Sequence, residues 1–109
     1  MRILSRPEEL VLLAVWKLKE NAYGVNIRNL IIEETGMDWT IGAIYVPLSR
    51  LSKWDYLETI IGEPTPERGG KRKKFYRLTD AGAEALSLIK KVNESMWSDI
   101  PETGFEARI

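Results

Sequence analysis

Arg68-Gly-Gly-Lys-Arg-Lys-Lys-Phe-Tyr-Arg77 holds six basic residues and no acidic one, and it ends in a segment with strand character. Upstream, Tyr56-Leu-Glu-Thr-Ile-Ile61 alternates and is rich in β-branched and aromatic side chains, which predicts a strand. Phe75-Tyr-Arg-Leu78 predicts its antiparallel partner. The intervening Gly62–Lys74 is too polar and too rich in Pro and Gly for regular structure, so the expectation is a hairpin with a long basic tip. The 109-residue chain has no formal net charge, with 16 Lys and Arg against 16 Asp and Glu. Taking away the six bases of this stretch leaves 10 against 16, a net of −6 for the rest. A concentrated positive patch on an otherwise acidic chain points to a localised contact with a polyanion.

Three helices are expected before the hairpin. Ser5-Arg-Pro-Glu8 has the form of a capping box with Pro7 in the first turn, and Leu10, Leu13, Ala14 and Leu18 follow at helical spacing to about Glu20. Asn21-Ala-Tyr-Gly24 interrupts, and a second helix runs from Val25 to about Thr35, with Gly36 placed for a left-handed cap. Thr40 is a good N-cap for a third helix, Ile41–Lys53. At 100° per residue, Ile41, Ile44, Leu48 and Leu51 share one side. Gly42, Val46, Ser49 and Lys53 fall opposite, and Tyr45 and Arg50 lie on the flanks. Pro47 forfeits the bond to the Ala43 carbonyl at a cost of roughly 3 kcal/mol, read either as local distortion or as a kink that aims the first half of the helix at a ligand.

After the hairpin, Thr79 or Asp80 caps a fourth helix to about Ser98, where Pro101 follows. Ala81, Ala85, Leu88, Ile89, Val92 and Met96 gather in one apolar stripe, widened by Leu86 and Trp97. The preceding elements make a core of their own, so a second copy of the chain is the simplest cover for this stripe, through a two-fold contact. Leu88, Ile89, Val92, Met96 and Trp97 are the interface candidates. The alternative is that the helix folds back on the first helix of its own chain.

The chain contains neither Cys nor His. That excludes disulfide scaffolds, Cys/His zinc sites, thiol nucleophiles and imidazole acid–base chemistry. The carboxylate pairs Glu33-Glu34 and Glu63/Glu67 lack the pre-organised geometry of an acid–base pair, so no catalytic residue, metal or cofactor is expected. The longest apolar run near the N-terminus, Leu10–Trp16, is too short for a membrane span and lacks the order of a signal peptide, and a cytoplasmic protein is expected. Trp16, Trp39 and Trp54 read as fillers of the core or its edge.

Three helices and then a basic hairpin is the order of a winged helix-turn-helix, in which the third helix enters a major groove and the hairpin is the wing. The chain also resembles PadR-type transcriptional regulators of the short kind with a single C-terminal helix. The resemblance is carried by Leu4-Ser5, Glu9-Leu-Val-Leu-Leu13, Ala22-Tyr-Gly24, Gly42-Ala-Ile-Tyr-Val-Pro-Leu48 with Arg50-Leu51, Gly69–Tyr76 and Leu78-Thr-Asp-Ala-Gly82. Two departures stand out: Trp54-Asp55 where such proteins usually carry a charged residue and glycine, and Phe75 in place of a common tyrosine. The resemblance implies a homodimeric, repressor-like protein whose C-terminal helices form the interface. Some members respond to small molecules, which leaves room for an effector and names none.

The fold class expected is therefore mainly α with a small β-hairpin. Residues 1–79 form a winged helix-turn-helix, 80–100 a C-terminal dimerisation helix and 101–109 a flexible tail. The partners expected are double-stranded DNA, as an inverted-repeat operator, and a second copy of the chain, with no membrane. The DNA-contact candidates are Tyr23, Thr40, Gly42, Tyr45, Ser49, Arg50, Lys53, Lys71, Arg72, Lys73 and Lys74. Tyr45 admits a second reading as a partly buried core residue, and Tyr23 as a tyrosine packing across the turn after the first helix. A winged helix whose wing contacts an acidic protein is the alternative function.

Overall fold

The computed structural model describes residues 2–64 and 72–101. Lys71 and most of the expected tail lie outside the described residues. Helix α1 (Arg6–Leu18) opens on the anticipated capping box: Ser5 Oγ accepts from the Glu8 amide at 3.3 Å, and Glu8 accepts from the Ser5 amide at 2.8 Å. A 3-10 turn over Lys19–Asn21 leads into α2 (Gly24–Thr35), which ends at Gly36 with φ +67°. That left-handed conformation is open to glycine without strain.

Trp39 fixes the turn between α2 and the next helix. Its carbonyl accepts from Arg28 Nε at 2.6 Å, and its indole donates to Thr35 Oγ1 at 3.0 Å. Helix α3 (Ile41–Lys53) follows with the expected bounds, capped by Thr40 Oγ1. It runs unbroken through Pro47, whose ring is buried with Ile44, Leu48 and Leu51. Ile41, expected on the core side, is 62% exposed. Periodicity assigns a residue to a side but does not say where the core stops along the axis, and Ile41 is the first residue of the helix.

Strands β1 (Leu57–Pro64) and β2 (Arg72–Leu78) pair antiparallel, with Leu57 opposite Leu78 and Ile60 opposite Phe75. The hairpin is longer than expected: the irregular stretch placed at Gly62–Lys74 is paired as far as Pro64 and Arg72, past an irregularity between Ile61 and Pro64. Ladder bonds use the backbone, so basic side chains need not end a strand whose partner continues. A bridge between Tyr23 and Phe75, and the Tyr76 amide donating to the Ala22 carbonyl at 2.8 Å, tie β2 to the entry of α2.

Helix α4 (Asp80–Trp97) is capped by Thr79, which joins three elements. Its hydroxyl donates to the Asp55 carbonyl at 2.6 Å and accepts from the Gly82 amide at 3.0 Å, and its own amide donates to the Tyr56 carbonyl at 3.1 Å. Asp55 has φ +61°. Aspartate is among the few side chains that enter this region readily.

The core gathers Val11, Leu12 and Val15 of α1, Ile27 and Ile31 of α2, Ile44, Leu48 and Leu51 of α3, with Leu57 and Tyr76 of the hairpin. Ala85 and Ile89 of α4 belong to it too. So α4 does fold onto its own chain over its first half. The contact with α1 continues to Asn93, whose amide donates to Glu9 at 3.0 Å. Trp39 and Trp54 pack at the edge of the core as expected, but Trp16 does not: it is 57% exposed, with Lys19 Nζ 3.8 Å from its ring. No helix among the described residues is long and apolar enough to cross a membrane.

Candidate nucleic-acid interface

The inner face of α3 is buried through Ile44, Pro47, Leu48 and Leu51, which leaves a mainly small and polar outer face. Gly42, Ser49 and Lys53 are exposed on it, as the spacing requires. Nothing lies within 4 Å of the position a Cβ would take on Gly42, so this part of α3 presents bare backbone to solvent. Thr40 stands at its start with its hydroxyl engaged as the N-cap, accepting from the Ala43 amide at 3.1 Å. Val46 and Ile41 add exposed methyl groups.

Tyr45 resolves into neither simple reading. It is 42% exposed, yet its ring lies across the first turn of α2, where a Cβ on Gly24 would collide with the Tyr45 hydroxyl. Gly24 is therefore a spacing residue that lets α3 and α2 approach, a role that the Tyr-Gly pair did not reveal from sequence. Burial pushes the Tyr76 phenol above its ordinary value, and the neighbouring Tyr45 adds to the shift, so the Tyr76 hydroxyl stays protonated at neutral pH.

Tyr23, the residue before α2, packs on the wing rather than across the turn after α1. Its ring meets Phe75 edge-on at 5.5 Å, and Lys73 Nζ lies 4.3 Å from its centroid. Phe75 is thus a positioning residue for the wing that sequence reasoning passed over. Lys74 is exposed on the opposite side of the strand. The backbone of Arg72 pairs with Pro64, while its side chain, like all of Lys71, falls outside the described residues.

The structure thus brings together Tyr23, Tyr45 and Lys73 where α2, α3 and β2 meet, beside the open face carrying Gly42, Ser49 and Lys53. Arg50 is held apart. Its guanidinium donates to Glu8 Oε2 at 2.9 Å across the α1–α3 contact. The Glu8 carboxyl is buried, which alone would raise its pKa. Hydrogen bonds from the Ser5 amide, the Arg50 guanidinium and the Ser5 hydroxyl, together with the charge of Arg50, outweigh this and hold it below the ordinary carboxylate value.

The residues assigned to a dimer contact also divide. Ile89 is buried in the core of its own chain and Leu88 is half-buried, whereas Val92, Met96 and Trp97 are exposed. The stripe read from sequence therefore divides, among the described residues, into a part buried in the chain's own core and an exposed part toward the C-terminus.

Solved structures share this architecture. A transcriptional regulator from Clostridium thermocellum superposes with a TM-score of 0.69 at 23% identity, covering 85% of this chain and 87% of that one. A PadR-like transcription factor from Bacteroides fragilis gives 0.64 at 29% identity, covering 82% and 84%. A PadR-like transcriptional regulator from Bacillus cereus gives 0.63 at 23%, covering 82% and 84%. A comparison with curated protein sequences finds no match. The model of the PadR-like family of transcriptional regulators matches residues 12–88, which takes in the second half of α1, the α2–α3 pair, the wing and the first half of α4. By that match, and with the winged helix-turn-helix architecture in agreement, the chain belongs to the PadR-like family of transcriptional regulators.

Proposed function

We propose that this regulator binds duplex DNA as a homodimer and represses transcription from an inverted-repeat operator. The observation that carries the reading is the junction of the open α3 face with the lysine-bearing strand β2, through Tyr45 over Gly24 and Lys73 over Tyr23. A helix of this kind fits a major groove, and Gly42 permits close approach of its backbone. In this reading Tyr45 and Ser49 meet base edges, and Val46 and Ile41 offer methyl contact to thymine. Lys53, Lys71, Arg72, Lys73 and Lys74 meet phosphates. Arg50 serves by holding α3 against α1. Residues 1–79 form the DNA-binding part, and 80–100 bring two such parts together.

The test is a titration of fluorescent duplex carrying the inverted repeat upstream of the protein's own gene, run beside random duplex from about 50 to 200 mM salt. The expected result is tighter binding to the repeat, with log affinity falling linearly against log salt at a slope of roughly −0.9 per phosphate neutralised. Absence of binding to any duplex at the lowest salt would overturn the reading and favour a wing that contacts an acidic protein.

A further inference from the structure

The first two turns of α3 offer a ligand very little that forms hydrogen bonds. Thr40 to Leu48 contains no charged side chain and no amide side chain. Its two hydroxyl groups both serve the protein: Thr40 Oγ1 caps the helix, and the Tyr45 hydroxyl lies over Gly24 of α2. Gly42 contributes bare backbone. What projects is apolar and β-branched, with Ile41 62% and Val46 55% exposed. Such side chains lose rotamer freedom in a helix and, left in water, gain no burial in return. Their exposure is accounted for if a ligand surface covers them. Lysines frame the apolar stretch, Lys53 at the far end of α3 and Lys73 and Lys74 on β2. A cationic frame around apolar groups suits a polyanion that itself carries apolar groups in a groove.

We propose that Ile41 and Val46 are specificity-determining residues that read thymine methyl groups, so that each operator half-site carries thymines where α3 begins. This rests on the DNA-binding reading above and specifies the base feature it uses. In the major groove the C5 methyl of thymine is the apolar mark, while the other marks that distinguish base pairs are hydrogen-bond donors and acceptors. A bidentate contact needs Arg or Lys for guanine and Asn or Gln for adenine, and none stands between Thr40 and Leu48. A segment without free donors or acceptors on its side chains responds to the methyl and to little else. In helix-turn-helix docking the N-terminal residues of the recognition helix are those that reach base edges, so the apolar end of α3 is the end that meets the bases. Ser49 and Lys53 bring hydrogen-bonding groups only from the third turn onward. From Ile41 to Val46 the helix advances about 7.5 Å at about 1.5 Å per residue, which spans about two base-pair steps of about 3.4 Å. The methyls read are therefore close neighbours along the groove.

Deoxyuridine isolates this feature, because it keeps every hydrogen-bonding group of thymine and lacks only the methyl. The full chain first selects its preferred sites from a randomised duplex pool. The selected duplex is then remade with deoxyuridine inside the half-sites or, as a control, outside them. The expected result is half-sites that contain thymine, with affinity falling about fourfold for each thymine read, the factor that burial of one methyl-sized group carries. The control duplex should bind as before. A double variant with Ile41→Ala and Val46→Ala is expected to bind the unmodified site more weakly and to be indifferent to deoxyuridine. Its affinity for random duplex and its far-ultraviolet dichroism should match the wild type. A chain that binds duplex but selects no preferred site, selected half-sites without thymine, or wild-type affinity unmoved by deoxyuridine would overturn the methyl reading and leave DNA binding standing. A deoxyuridine effect that persists at full size in the double variant would overturn the assignment to Ile41 and Val46. A chain that binds no duplex even in low salt would overturn the DNA-binding reading and this one with it.

Discussion

Glu8 shows how one buried carboxylate connects two helices. It completes the α1 capping box and receives Arg50 of α3, and among the described residues it is the buried charged side chain. Glu8→Gln keeps the shape and removes the charge. The expected loss is about 1–2 kcal/mol in urea denaturation, below the range for a fully buried pair because Arg50 remains half-exposed. Its pKa is lowered in the folded chain, so its contribution is complete above the ordinary unfolded carboxylate value and fades as pH falls through the lower folded value. Stability of the wild type should therefore drop more steeply than that of Glu8→Gln on acidification below about pH 4. Arg50→Ala should cost comparable stability while leaving the salt slope of DNA binding unchanged, the measurement that separates a bracing arginine from one that meets a phosphate. The Ser5-to-Glu8 spacing was legible because a capping box is local. The Arg50 partnership was not, since it joins positions 42 residues apart and no helical projection carries such a distance.

At the scale of elements, the end points of α3 followed from Thr40 and an unambiguous apolar repeat, whereas the wing was underestimated. A run of lysines and arginines has poor strand propensity, but β2 is held by its ladder with β1 and by the Tyr23 bridge, neither of which depends on those side chains. This places Lys73 and Lys74 on opposite faces of a strand rather than on one loop. Neutralising both should reduce the magnitude of the salt slope by up to about 0.9 for each phosphate left without its lysine, with affinity falling equally on operator and random duplex. Substituting Ser49 should instead cost about 1–3 kcal/mol on the operator and little on random duplex, the signature of a base edge being read. The junction of wing and α4 is tight. A Cβ on Gly82 would run into the Tyr56 carbonyl, backbone that cannot swing aside as a side chain can. Gly82→Ala is expected to destabilise the fold by about 3 kcal/mol, visible as a lower midpoint in thermal or urea unfolding.

For the molecule as a whole, sequence periodicity identified an apolar face on α4 without distinguishing which chain covers which part of it. Ala85 and Ile89 turn out to serve their own core, so a charge at Ile89 would unfold the monomer and say nothing about dimers. Val92→Asp with Met96→Asp is the informative pair: a folded chain that sediments as a monomer and loses operator preference is the expected outcome. Inserting about five base pairs between half-sites should abolish cooperative binding to the repeat, since it rotates one major groove to the far side of the duplex. In such an assembly the Thr79 junction acquires a further significance. Its three hydrogen bonds weld the start of α4 to the turn that follows α3, so the arm reaching the partner and the helix facing DNA move as one piece. From Thr79 to Val92 that arm is about 20 Å long at about 1.5 Å per residue. A tilt of about 10° at its root would carry the far end about 3.5 Å, close to the rise of one base pair. In the proposed dimer the threonine would act as the zero mark of a ruler, and tolerance for operators of altered spacing would be set at a joint away from the α3 face.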